Sequence, residues 1–185
     1  MNTRIAQLDP NTTTGKSKEL FEAVNNKIGF IPNLVKVFGN SPSTLQAYLS
    51  LGEITSKGSF SNKFREQLAL AIAEENECNY CLSAHSAIGK MNGLTEDQVE
   101  ASRKGHAADL KTTKALEFAQ KVTSKRGQVS SEDLTEIKAE GYSDGEILEI
   151  VLNVVSNTLT NYVNHIASTE IDFPKVEAGR FSVSI

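Results

Sequence analysis

Residues 61–89 read SNKFREQLALAIAEENECNYCLSAHSAIG, and this stretch decides the fold. Ser61 is a good N-cap, and the helix it opens is expected to run to about residue 75. Inside it lies the wholly apolar run Leu68-Ala69-Leu70-Ala71-Ile72-Ala73. A helix that is apolar all round is a buried one, so this element should sit at the centre of a helical core. A further helix carries Cys78-Asn79-Tyr80-Cys81 and His85 and ends near Gly89 or Gly93.

Outward from this centre, apolar residues keep recurring at spacings of three and four. A first helix is expected over about 14–27, with Leu20, Phe21, Val24 and Ile28 on its buried side. Ile31-Pro32-Asn33 breaks it, and a short helix follows at about 34–38. Ser41-Pro42 is a cap with proline at the first helical position, and that helix should stop before Gly58. Thr95 with Gln98, and Ser143 with Glu146, form capping-box patterns; the second opens a long helix to about residue 165. Further helices are expected at about 111–125 and 131–139. With no alternating strand pattern, the fold class is all-α.

Bulk composition narrows the function. At 185 residues the chain is long enough for one domain with a substantial core. A net charge of −4 without a lysine–arginine cluster argues against nucleic-acid binding. No apolar stretch approaches the roughly 18 residues of a membrane span, and the polar start shows no secretory pattern. The expected location is cytoplasmic, where cysteines stay reduced unless they are catalytic.

The two cysteines of the chain are Cys78 and Cys81. Bridging such close neighbours closes a very small loop, which constrains the unfolded chain little. Such a pair can open and close quickly, and pairing tends to lower one thiol's pKa. On one helix, Cys78, Cys81 and His85 fall at i, i+3 and i+7 and share a face. The helix N-terminus favours a thiolate there, while Glu74, Glu75 and Glu77 immediately upstream oppose it. A specific proton acceptor would resolve the conflict. His85 and Glu66 are the candidates, and Glu66 lies on a stripe with Ala69, Leu70 and Ala73, where a carboxylate needs a partner or a raised pKa.

An internal echo accompanies this pattern. Glu66, Cys78, Cys81 and His85 are matched at a constant offset by Glu146, Thr158, Asn161 and His165. Ile54-Thr55-Ser56-Lys57 resembles Val122-Thr123-Ser124-Lys125 at a shorter offset, as an insertion in the second copy would produce. The expectation is a duplicated helical unit whose second copy has lost its thiols, with Glu146 and His165 as relics and the halves packed about a pseudo-two-fold axis.

The spacing Glu66-x11-Cys78-x2-Cys81-x3-His85 resembles the core of the AhpD-like alkylhydroperoxidases, within the carboxymuconolactone decarboxylase superfamily. The strongest match covers about 64–89. Gly29-Phe30-Ile31-Pro32-Asn33 and the stretch from Asn164 to Pro174 are similar to the peroxidase-related branch and extend the likeness over most of the chain. The resemblance implies an AhpD-like fold filling 1–185 as a single domain. Its core would cover 40–170, with the redox helix–turn–helix at 62–92, an N-terminal helical extension at 1–39 and a C-terminal arm at 172–185. It implies thiol-dependent reduction of organic hydroperoxides: Cys81 attacks the peroxide, Cys78 condenses with the resulting sulfenic acid, and Glu66 with His85 relays protons. It further implies no metal or organic cofactor, a dithiol electron donor, and a homo-oligomer, trimer or hexamer. One departure is Tyr80, where the family's best-known members carry histidine. Tyrosine is no base near neutral pH, so Tyr80 is a secondary residue that donates a hydrogen bond or shapes the pocket.

Other readings stay open on the residues alone. Cys78 and Cys81 could be two small buried residues. With His85 and Glu66 they could also offer zinc ligands, at a spacing unusual for helical zinc sites. A decarboxylase-like enzyme is a further alternative, although such enzymes generally lack the cysteine pair. A dithiol sensor or disulfide reductase without peroxide turnover is another. His106 is expected in an exposed interhelical loop, and Asn161 and His165 in core or interface hydrogen bonds.

Overall fold

The all-round apolar run of residues 68–73 is explained by two separate cores, one on each side of the helix that carries it. The computed structural model describes residues 3–179, and all regular structure among them is α-helical. The elements are α1 (Gly15–Ile28), α2 (Asn33–Phe38), α3 (Pro42–Thr55), α4 (Asn62–Glu75), α5 (Asn79–Met91), α6 (Glu96–Arg103), α7 (Leu110–Ser124), α8 (Ser131–Ala139) and α9 (Asp144–Ala167). Helix α4 packs against α5, α6, α7 and α9. Its Leu70 and Ala73 join a core with α1, α2, α3 and α5, and this core contains Cys78, Tyr80, Cys81 and Leu82. Its Leu68, Ala71 and Ile72 join a second core with Ala115, Leu116 and Phe118 of α7 and Ile147, Ile150 and Val154 of α9. Leu68, Leu70 and Ile72 are wholly buried, each contributing about 1.5–3 kcal/mol.

Local chemistry sets the helix starts. Ser41 and Ser61 accept backbone N–H groups from Thr44 and Phe64, and Pro42 occupies the first turn of α3. Complete capping boxes join Thr95 to Gln98, Ser130 to Asp133 and Ser143 to Glu146. Gly29 closes α1 at φ 83°, a left-handed cap that glycine adopts without a Cβ clash. Among the described residues no helix is long and apolar enough to cross a membrane.

Ile28 differs from expectation. It is the last residue of α1 and 49% exposed, whereas Leu20, Phe21 and Val24 are buried. The apolar face of α1 meets the core along its middle turns, and Ile28 lies past that contact. The arm is ordered over its described part, 172–179, and 180–185 lie outside the described residues. Phe173 packs edge-on against Phe30 and Tyr80, each with ring centroids 5.9 Å apart. Val176 N–H donates to Ser83 Oγ at 2.9 Å and Ala178 N–H to Asn79 Oδ1 at 2.8 Å, so the arm lies over the start of α5. The buried ion pair Arg103–Glu74, at 2.7 Å, holds its end: Arg103 Nη2 donates to Glu177 O, and Glu74 accepts Gly179 N–H.

The internal echo is matched only in part by the elements. The matched segments end α3 and α7, α8 stands where the second copy carries extra residues, and α4 and α9 pack together. Where the first copy breaks at 76–78 between α4 and α5, the second runs unbroken as α9. Glu146 therefore caps the start of α9, and His165 lies in its last turn, about 28 Å further along at 1.5 Å per residue.

Candidate functional site

The break between α4 and α5 creates the site. Asn76 caps the end of α4, Glu77 adopts φ 52°, and the chain re-enters a helix at Asn79 with Cys78 as N-cap. Cys78 is thus the capping residue of α5 and stands ahead of its helical face, which corrects the i, i+3, i+7 expectation. Its Sγ accepts the Cys81 N–H at 3.3 Å, the bond a serine or aspartate would make at that position. Backbone N–H groups at a helix start favour negative charge, so the thiolate form of Cys78 is supported there. Cys78 and Cys81 are joined as a disulfide with Cα atoms 5.3 Å apart, and both are at least 98% buried.

One turn beyond Cys81, His85 Nδ1 and Glu66 Oε2 are 2.8 Å apart, with side chains 22% and 16% exposed. Glu66 has found the partner that its apolar stripe called for. The helices approach closely here because α5 carries Gly89: a Cβ on it would lie 2.8 Å from Leu94 Cδ1 and 3.6 Å from Glu66 Cβ. Tyr48 of α3 is the phenol beside this pair. Burial, and then the negative charge of Glu66, push it above the ordinary tyrosine range, which keeps its O–H a donor. Of the upstream acids, Glu74 is neutralised by Arg103, and burial raises Glu75.

Tyr80 points away from the relay. It is 5% exposed; its oxygen accepts the Leu34 N–H at 3.2 Å, and burial, with the negative charge of Asp172, holds its phenol above the ordinary tyrosine range. Asp172 accepts the Asn33 N–H at 2.7 Å, and Asn33 Nδ2 donates to Glu170 O at 3.0 Å. The two flanking motifs of the sequence therefore meet across Tyr80, which acts as a structural tie.

Helix α9 supplies the residues that sequence reasoning gave no role at the thiols. Asn164 Nδ2 donates to Cys81 Sγ at 3.3 Å. Asn161 Oδ1 accepts from Asn76 Nδ2 and His165 Nε2 donates to Asn76 O, both at 2.8 Å, so α9 clamps the α4–α5 turn. The available signal was a row of asparagines at 153, 157, 161 and 164, spaced by three and four along the long last helix. His106 is exposed in the loop after α6. Among the described residues, no group of three or more His, Cys, Asp or Glu side chains converges as a metal site.

Residues 42–123 match the model of the carboxymuconolactone decarboxylase family. Among solved structures, the chain is similar to the alkylhydroperoxidase AhpD core of an uncharacterized peroxidase-related protein from Ralstonia eutropha JMP134. They share 21% identity and a TM-score of 0.80, with 93% of each chain covered. An uncharacterized peroxidase-related protein from Silicibacter sp. TM1040 gives 21% identity and a TM-score of 0.79, covering 91% of this chain and 93% of that one. A cysteine-to-alanine variant of the debrominase Bmp8, in complex with 2,3,4-tribromopyrrole, gives 19% identity and 0.79 with 93% of each chain covered. At these identities the likeness is one of fold. No curated protein matches the chain.

Proposed function

We propose that the chain, whose residues 42–123 match the carboxymuconolactone decarboxylase family model and which has the AhpD-like fold, reduces organic hydroperoxides through a Cys78–Cys81 dithiol cycle. The observation that carries this reading is the Glu66–His85 pair, held at 2.8 Å one turn from the Cys78–Cys81 disulfide. The Cys81 thiolate attacks the peroxide, the O–O bond breaks, and the sulfur becomes a sulfenic acid. The departing alkoxide takes a proton through His85 and Glu66 and leaves as an alcohol. Cys78 then attacks the sulfenic sulfur, water departs, and the disulfide forms. A dithiol returns two electrons and reopens it. No step requires a metal or organic cofactor.

Self-association belongs to the same proposal. The outer face of α9 exposes Leu148, Val155, Leu159, Tyr162 and Ile166, with Leu152 half-buried between them. These positions alternate by four and three, the seam spacing of paired helices. No acidic or basic residue occurs from 150 to 169 except His165. A surface of this kind fits a second copy of the same helix, and a homo-oligomer follows.

Titration of the reduced protein with cumene hydroperoxide tests the chemistry. Two free thiols should disappear per equivalent of peroxide, and Cys78→Ser should accumulate sulfenic acid at Cys81. Thiols that survive excess peroxide would reject the reading. Bromide release from 2,3,4-tribromopyrrole by a protein inert to peroxide would redirect it to reductive dehalogenation.

A further inference from the structure

The two ends of the disulfide face different surroundings. Cys78 borders an open cleft of about 580 Å³, walled by the 77–80 turn, Asn164 and His165 of α9, and residues 168–171 and 175. Cys81 stands off that wall, with its sulfur against Asn164 Nδ2 at 3.3 Å. Two lining side chains carry a buried polar atom without a partner: Oδ1 of Asn164, which is 5% exposed, and Oγ1 of Thr169, which is 9% exposed. Buried polar atoms in native proteins are nearly always bonded, so this wall is built to receive a hydrogen-bonding ligand.

We propose that the reducing thiol enters through this cleft and attacks Cys78 Sγ, and that Asn164 Nδ2 stabilises Cys81 as the leaving thiolate. Asn164 Oδ1 and Thr169 Oγ1 bind a donor group beside the reductant's sulfurs. The reductant is a small dithiol with a hydroxyl or amide N–H near its thiols. The inference rests on the dithiol cycle proposed above and is independent of the oxidant that closes it.

The step balances. The reductant thiolate bonds to Cys78 Sγ as the Sγ–Sγ bond breaks, and Cys81 departs with the electron pair and then takes a proton. The reductant's second thiol next attacks its own sulfur in the mixed disulfide, releasing Cys78 and oxidising the reductant by two electrons. Access sets the direction, because the cleft reaches Cys78 and not Cys81, and the Asn164 amide N–H then stabilises the departing Cys81 thiolate, which speeds exchange. In this role Asn164 is a catalytic residue, because it touches a reacting sulfur.

The test uses the oxidised full chain without peroxide. Brief exposure to limiting 2-mercaptoethanol, acid quench and alkylation should place the mercaptoethanol on Cys78 and the alkyl group on Cys81, as read by fragment mass spectrometry. The reverse placement would overturn the direction of attack, and this measurement needs no variant. In a Cys78→Ser background, Asn164→Ala should raise the pH midpoint of Cys81 alkylation by about one pH unit, the worth of one hydrogen bond to a charged group. An unchanged midpoint removes Asn164 from the step. Thr169→Val should lower the ratio of the reduction rate with dithiothreitol to that with 1,4-butanedithiol, which lacks the hydroxyls, about fivefold. An unchanged ratio would eliminate the donor site.

Discussion

Replacing Glu66 by glutamine removes one charge and almost no volume, which makes it the cleanest probe of the relay. In the folded chain Glu66 Oε2 meets His85 Nδ1 at 2.8 Å, with both side chains mostly buried. A hydrogen bond to a charged group contributes about 1.5–3 kcal/mol, against about 0.5–1.5 for a neutral one. Residual exposure screens the difference, so Glu66→Gln should cost about 1 kcal/mol of stability. In a chain of this length that lowers the melting temperature by about 2–4 °C. The kinetic loss should be larger, because positioned acid–base groups contribute about 10²–10⁴-fold. A fall in kcat/KM for cumene hydroperoxide of at least about 100-fold corresponds to about 2.7 kcal/mol at the transition state, well beyond the loss in folding. His85→Asn should match it, and the double variant should be little worse than either, because the two groups act as a unit. Coupled peroxide-consumption assays beside thermal melts separate the two quantities. A Glu66→Gln rate within about threefold of the unaltered protein would refute the relay, as would losses that multiply in the double variant.

Other consequences can be checked independently. Asp133 is held well below the usual carboxylate range by Lys121, with bonds from Ser130 and Lys125 adding to it. Its contribution to stability is complete above the unfolded value, about pH 4, and is lost as pH falls toward the depressed folded value. Asp133→Asn should therefore flatten the fall of melting temperature below about pH 4, and parallel curves would contradict the assignment. Arg103→Met leaves Glu74 buried without its counter-charge and frees the carbonyl of Glu177. It should cost about 3–5 kcal/mol and expose the 176–179 arm to limited proteolysis. Leu159→Glu with Tyr162→Glu places two charges on the apolar face of α9. Sedimentation should then show a shift to monomer with the helical signal retained; an unchanged mass would place the contact elsewhere.

What could be read in advance was what sequence makes local. Seven of the helix starts are fixed by cap side chains one turn from the backbone groups they satisfy, and those at Ser41, Ser61, Thr95 and Ser143 were legible. Glu66 was legible because a carboxylate on an apolar stripe needs a partner, and the resemblance to the AhpD-like proteins paired it with His85. The break after Glu75 was legible as well, but the N-cap role of Cys78 was hidden, because thiols seldom cap helices. Asn164 reaches Cys81 across 83 residues, and Tyr48 approaches Glu66 from a third helix. Such pairings follow from how α3 and α9 pack, and local pattern does not encode it. The echo's second copy lies on the unbroken α9, where Glu146 and His165 stand far apart and form no counterpart of the Glu66–His85 pair.

In the proposed cycle Cys78 and Cys81 turn over peroxide together. The direct measurement is steady-state consumption of cumene hydroperoxide by the full chain with excess dithiothreitol, beside Cys81→Ser and Cys78→Ser. Many equivalents consumed per chain, abolished in Cys81→Ser and strongly reduced in Cys78→Ser, is the predicted result. Consumption that stops at one equivalent, or continues unchanged in both variants, would contradict it.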